Sequence, residues 1–377
     1  MDRRKFIAGT MLAAAGGVAT AHADGRIIGN GAIPNAVADE PAKTEMHKFS
    51  RMRTITLEEH YVSPAFAAGP WKSIAALVCP PIVEDPRTRE FWAILQDVGP
   101  GRLAAMDEAD IDVQILSHFP GIEQLEAKEQ VPMARDTNDF LLETVAKYPA
   151  RYAGFASVCT AAPGQAAKEL ERMMQAGSKG AIINGHSRGR YLDDKFFWPI
   201  LEAAQHLNAP IYLHPTAPPQ AVIDVYYAGF SPELVGLFST GGWGWHIETG
   251  VHASRMILGG VFDQFPKLQI IVGHMGEALP FMMPRMNRMM GLDQTKLKQP
   301  ISAYLRQNFH YTFSAFNFTQ NFFDLMTQMG VKDRIMFSTD YPFGSMMEAR
   351  LFLDALPISP ADWELIAHGN AERLFKM

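Results

Sequence analysis

Cysteine is almost missing from this chain: two residues in 377, Cys79 and Cys159. Two cannot build a disulfide framework, and each reads as a small buried hydrophobe rather than a nucleophile. Any metal site must therefore rest on histidine and carboxylate. A basic excess is missing too. Lys and Arg number 34 against 40 acidic residues, a net charge of −6, and the basic residues are scattered. That excludes an electrostatic footprint for nucleic acid or another polyanion. No apolar run reaches the length of a membrane span; the longest N-terminal one, Ala8 to Ala21, is short and interrupted by Gly9, Gly16 and Gly17. There is no internal repeat. Gly185-His186-Ser187-Arg188-Gly189 lacks the spacing of a phosphate-binding loop and reads as an ordinary loop.

What the N-terminus does contain is a targeting pattern. Arg3-Arg4-Lys5-Phe6-Ile7 precedes the apolar run, which ends at Ala21-His22-Ala23, an Ala-x-Ala-like site. The paired arginines resemble a twin-arginine signal, a route that carries folded proteins. Residues 1–23 are therefore expected to be a signal peptide and 24–50 a loose linker, with delivery to the periplasm or beyond.

From residue 54 short apolar strands alternate with amphipathic helices. The strands are expected at Ile55–His60, Val113–Ser117, Tyr152–Val158, Gly180–Ile183, Pro210–His214, Gln269–His274, His310–Phe313 and Ile335–Ser338. Helical spacing covers 91–109, 131–148, 163–176, 196–207, 246–265, 277–290, 347–355 and 360–373. Eight strands, each followed by helix, are the count of a (β/α)8 TIM barrel, here over 51–377 with a short proline-bearing insertion, Ser63–Arg89, after the first strand. An open doubly wound sheet is the alternative. Closure is preferred because only it brings the first and eighth strands together.

Four strand ends carry Glu58 and His60, His214, His274, and Asp340. The C-terminal ends of the strands are where such folds keep their chemistry. Glu58 and His60, two apart on one strand, can leave the same face, with Glu59 pointing outward. Imidazole and carboxylate together suit zinc or manganese.

At these residues a family resemblance emerges. Glu58-Glu59-His60, Tyr212-Leu213-His214-Pro215, Gly273-His274-Met275-Gly276-Glu277 and Ser338-Thr339-Asp340-Tyr341-Pro342-Phe343 resemble the amidohydrolase-2 branch of the amidohydrolase superfamily. Within it the chain is most similar to the metal-dependent non-oxidative decarboxylases, of the aminocarboxymuconate-semialdehyde and γ-resorcylate types, over about residues 54–377. The resemblance implies Glu58, His60, His214 and Asp340 as ligands of one divalent ion, Zn or Mn, with no organic cofactor. It implies His274 and Asp340 as catalytic groups and Glu277 as a support for His274. Arg285, Phe316 and Asn317 become candidates for substrate contact. Plainer readings stay open: Arg285 as a surface helix charge, Glu277 as a first-turn helix carboxylate, and His118 and His186 as packed or solvated rather than lining the pocket.

The implied reaction is decarboxylation of a small, aromatic carboxylic acid, with hydrolysis of an ester, lactone or amide as the alternative. The chain also departs from the decarboxylases. Thr216 follows His214-Pro215 where they tend to carry Arg, and Ser314-Ala315-Phe316-Asn317 stands where they tend to carry Ser-Gly-Asn-Phe. Oligomeric state is left open.

Overall fold

β-Branched and aromatic residues dominate the segments that become strands, and each segment ends at a polar or glycine-bearing turn. The computed structural model describes residues 52–71, 74 and 88–377, all within one compact unit, Val37–Met377. Nine parallel segments follow in chain order: β1 (Ile55–Tyr61), β2 (Val113–His118), β3 (Tyr152–Gly154), β4 (Ala156–Ser157), β5 (Ala181–Asn184), β6 (Ile211–His214), β7 (Ile270–Val272), β8 (Phe309–Thr312) and β9 (Ile335–Met336). Each pairs with the next within two sheets, β1 to β3 and β4 to β9.

β3 and β4 are one strand broken at Phe155. The Phe155 amide donates to the Leu116 carbonyl at 3.0 Å, and the Ala156 amide to the Gly180 carbonyl at 2.9 Å. The break is where the strand passes from one neighbour to the other. On the opposite side the His60 amide donates to the Tyr341 carbonyl at 2.7 Å, and the Ser338 hydroxyl donates to the Leu57 carbonyl. The ring thereby closes into the eight-stranded (β/α)8 barrel. Ile55, Leu57, Ile115, Phe155, Ile182 and Tyr212 belong to its interior cluster. Phe375, from the C-terminal helix Asn370–Phe375, joins that cluster, its ring 5.6 Å from that of Phe155.

β1 is not a regular strand. Leu57 pairs with Ile115 and Glu59 with Leu116, so Glu58 is an extra residue, with φ 71°. Before this bulge Ile55 and Leu57 face the interior; after it His60, opposite Ser117, does so. Unbroken alternation would have turned His60 away from the face that Leu57 occupies. Glu59 points outward, accepting from the Thr339 amide at 3.0 Å, the Thr339 hydroxyl at 2.6 Å and the Gln114 amide at 2.9 Å.

Several expected boundaries shift for local reasons. The helix expected over 91–109 is two, Thr88–Gln96 and Pro100–Glu108. Pro100 lacks the N–H needed to continue a helix, and the Asp97 carboxylate instead accepts from the Gly99 amide at 2.7 Å. The helix expected over 246–265 runs Gly244–Leu258, with a separate turn at Val261–Gln264. The helix expected from Glu277 begins at Leu279, with Pro280 in its first turn. Glu277 and Ala278 are left-handed, φ 54° and 63°, so Glu277 is not a first-turn helix carboxylate. Of the insertion after β1, the helix Pro64–Ala68 and the residues from 88 onward are described; the signal, the linker and Cys79 lie outside the described residues. Among the described residues no helix is long and apolar enough to cross a membrane.

Candidate metal centre

The barrel mouth gathers four side chains from two strands, β1 and β6, and the loop after β9. Glu58, His60, His214 and Asp340 are all buried, and each offers a ligand atom within 4.8 Å of the others. His60 Nε2 lies 3.2 Å from Asp340 Oδ1, and His214 Nε2 lies 3.2 Å from Glu58 Oε1. Neither contact is aligned as a hydrogen bond: both ring nitrogens of His60 and Oε1 of Glu58 are buried without a hydrogen-bond partner. Buried polar atoms are almost always partnered, so donors that converge without bonding one another mark a cation position.

The remaining polar atoms of His214 and Glu58 are tied down. His214 Nδ1 is 2.7 Å from the Pro215 carbonyl, which leaves Nε2 as the free nitrogen, the usual arrangement for a metal-binding imidazole. Glu58 Oε2 accepts from the hydroxyls of Tyr212 and Ser314. Tyr212 and Ser314 were missed in the sequence, although period-two logic points at both. Tyr212 precedes His214 by two on the same strand, and Ser314 follows Thr312 by two, whose hydroxyl is 2.9 Å from that of Tyr212.

The electrostatics of these groups suit a cation. Burial pushes the Glu58 carboxyl up to about 8, and the Asp340 charge adds to this against the pull of His274 and His60. Burial draws His60 down and His214 down to about 4, which favours the neutral, metal-binding imidazole. Burial opposes ionisation of Asp340 also, but contacts with His274 and His60 hold it below the usual carboxylate range.

Beside this cluster lies a second one. His274 Nδ1 is 2.6 Å from Glu277 Oε1, and its Nε2 is 3.8 Å from Asp340 Oδ2 and 4.0 Å from Glu58 Oε1. Burial would lower His274, but the Glu277 and Glu58 carboxylates and Asp340 outweigh it and hold the ring well above the ordinary histidine value. Glu277 is held down to about 2 by His274 and His246 despite its burial. The backbone of this corner is left-handed at His274, Met275, Glu277, Ala278, Ser314, Ala315 and Asp340. Each such non-glycine residue costs of order 1–3 kcal/mol and persists where its surroundings over-determine it, as at functional sites.

The other sequence candidates divide. Phe316 is half-buried, its ring 5.5 Å from that of His274, and Asn317 Oδ1 is buried with no hydrogen-bond partner. Arg285 is exposed on the helix Leu279–Met289. His118 and His186 are packed. His118 Nε2 accepts from the Ser63 amide at 3.2 Å while Nδ1 meets the Phe119 carbonyl at 2.8 Å. His186 Nδ1 accepts from the Gly189 amide at 3.0 Å while Nε2 meets the Ala217 carbonyl at 3.1 Å.

A closed (β/α)8 barrel with two imidazoles and two carboxylates converging at its C-terminal mouth defines the class of metal-dependent barrel enzymes. The amidohydrolase family pattern matches residues 60–377, and the chain belongs to that family. It is 37% identical to the γ-resorcylate decarboxylase of a Polaromonas species, over 78% of this chain and 92% of that protein. Among solved structures, a dihydroxybenzoic acid decarboxylase from Polaromonas with manganese and 2-nitroresorcinol superposes with a TM-score of 0.78 at 34% identity, covering 86% of this chain and 97% of that one. A 5-carboxyvanillate decarboxylase from Novosphingobium aromaticivorans, with manganese and 4-hydroxy-3-methoxy-5-nitrobenzoic acid, gives 0.79 at 31% identity, covering 87% and 97%.

Proposed function

We propose that this chain is a metal-dependent non-oxidative decarboxylase of a small hydroxybenzoate-like acid. The observation that carries the reading is the set of converging, unpartnered donors on Glu58 and His60 beside His214 and Asp340. Support for the substrate class comes from the relatives, whose names are those of hydroxybenzoate and carboxyvanillate decarboxylases. Glu58, His60, His214 and Asp340 would hold one divalent ion, zinc or manganese. Bound there, the ion would supply positive charge to attract the acid's carboxylate and draw electron density from the ring.

The chain's own groups then move one proton. The ring carbon bearing the carboxylate must gain a proton before the carbon–carbon bond breaks. The electron pair of that bond returns to the ring as carbon dioxide leaves. The surrounding carboxylates favour the protonated form of His274, and its Nε2 is 3.8 Å from Asp340 Oδ2. Asp340 is the relay that reaches the ring carbon, and His274 steadies the charge of the dearomatised intermediate. Phe316 provides an apolar wall, and Asn317 Oδ1 an acceptor for a substrate hydroxyl. We extend the proposal to location: the N-terminal Arg3-Arg4 pattern supports export of the folded protein.

The test is metal analysis of the purified protein, followed by a screen of hydroxybenzoates for carbon dioxide release in deuterated water. The product should carry deuterium at the carbon that lost its carboxylate. Esters, lactones and amides belong in the same screen. Conversion of one of these to an acid plus an alcohol or amine, with no hydroxybenzoate turned over, would replace this reading with the hydrolase one.

A further inference from the structure

Glu277 has no oxygen to spare. Oε1 accepts from His274 Nδ1 at 2.6 Å, and Oε2 faces His246 Nδ1 at 2.8 Å. The far nitrogen of His246, Nε2, is 3.0 Å from the Gly241 carbonyl. A carbonyl and an ionised carboxylate only accept, so the His246 ring is arranged to donate from both sides. The ring lies 4.7 Å from that of His274 and 4.9 Å from that of Phe316, so it borders the same corner of the barrel mouth.

The element that carries His246 is built to press on Glu277. His246 lies in the first turn of the helix Gly244–Leu258, and Gly250 is one turn further along the same face. A Cβ on Gly250 would stand 2.7 Å from the Glu277 carbonyl oxygen. Backbone contact at Gly250 and side-chain contact at His246 therefore hold the one residue. That residue sits in a run of left-handed backbone which would not keep its shape unaided.

We propose that His246 is a positioning residue for the reaction. By occupying Oε2 of Glu277 it aims Oε1 at Nδ1 of His274, and so fixes Nε2 of His274 as the nitrogen turned toward the substrate. This rests on the reading that His274 acts on the substrate. A second ion held by His246, His274 and Glu277 is the competing use of these groups, and their close nitrogen–oxygen contacts are those of a hydrogen-bonded chain instead.

Three variants of the manganese-loaded protein test it. In His246→Asn the amide nitrogen takes the place of Nδ1 and keeps the bond to Glu277. In His246→Gln the amide reaches the Gly241 carbonyl and that bond alone survives. His246→Ala keeps neither. The expected result is a kcat lower by about 10–100-fold in the Gln and Ala variants, with KM nearly unchanged and the Asn variant close to the parent. A purely structural role would not rank Asn above Gln in kcat at constant KM. The readout besides activity is the ring-proton resonance of His274 Nδ1–H in protein labelled with 15N-histidine. Its downfield hydrogen-bonded signal should persist in the Asn variant and be lost or displaced in the other two. Equal kcat and an unchanged signal in all three would overturn the proposal, as would two manganese ions per chain in the parent. If no hydroxybenzoate releases carbon dioxide, the functional reading fails, while the His274 signal still decides what His246 does.

Discussion

The Glu58 carboxylate rests against the bare Cα of Gly273. A Cβ there would stand 2.8 Å from Glu58 Oε2 and 3.0 Å from the hydroxyl oxygens of Ser314 and Tyr212. The backbone of Gly273, φ −79° and ψ −168°, is open to any residue. Its lack of a side chain is therefore needed for space, not for backbone freedom, and the space belongs to Glu58.

Gly273→Ala should push the carboxylate out of place without straining the strand. Manganese affinity is expected to fall by about 10–100-fold, the usual cost of disturbing the groups that orient a ligand. Calorimetric titration of the metal, beside a thermal melt in chelator, measures both halves. Unchanged affinity would mean that Glu58 is not held through this contact.

His60→Ala combined with His214→Ala should abolish metal binding and turnover while the barrel stays folded, because the mouth serves chemistry and the interior cluster below it serves stability. Elemental analysis and far-ultraviolet circular dichroism report the two outcomes. Full metal occupancy in the double variant would show that other residues are the ligands.

His274→Asn separates orientation from chemistry. The asparagine amide can still donate to Glu277, but nothing replaces Nε2 facing Asp340. Turnover should drop by about 10²–10⁴-fold, far more than substrate binding weakens, with metal content intact. Equal losses in kcat/KM and in substrate affinity, with kcat preserved, would place His274 in binding alone.

Replacing Arg3 and Arg4 together with lysine should keep the protein in the cytoplasm if the N-terminus works as a twin-arginine signal. Fractionation of cells expressing both forms checks this. Undiminished periplasmic delivery of the lysine form would rule that route out.

Strand ends were legible in the sequence because short unbroken apolar runs stop sharply at His214, Gly273 and Ser338. Once eight strands are arranged in a ring, closure makes Glu58 and His60 neighbours of Asp340, and His214 reaches them across the mouth. The groups that hold them were harder to find. Tyr212 and Ser314 look like ordinary strand residues until the barrel folds inward on Glu58. His246 comes from a helix 31 residues before Glu277, and no local pattern links them. The left-handed turn at Glu277 was hidden because helical spacing around Met283 and Met286 extends its apparent periodicity backward past Pro280.

The extra residue in β1 splices two phases of one strand. Ile55 and Leu57 are set by the demand for apolar packing, Glu58 and His60 by the demand for polar convergence, and a flat strand could meet only one of them. A single-residue deletion at the bulge would leave a chain with every hydrophobic residue it needs for folding and His60 still in phase with Leu57, yet the Glu58 carboxylate would be gone from the cluster. The protein would then be silent without being unstable. A loss of this kind escapes any screen that reads only solubility or expression, and the one residue that breaks the pairing of β1 matters as much as the residues that obey it.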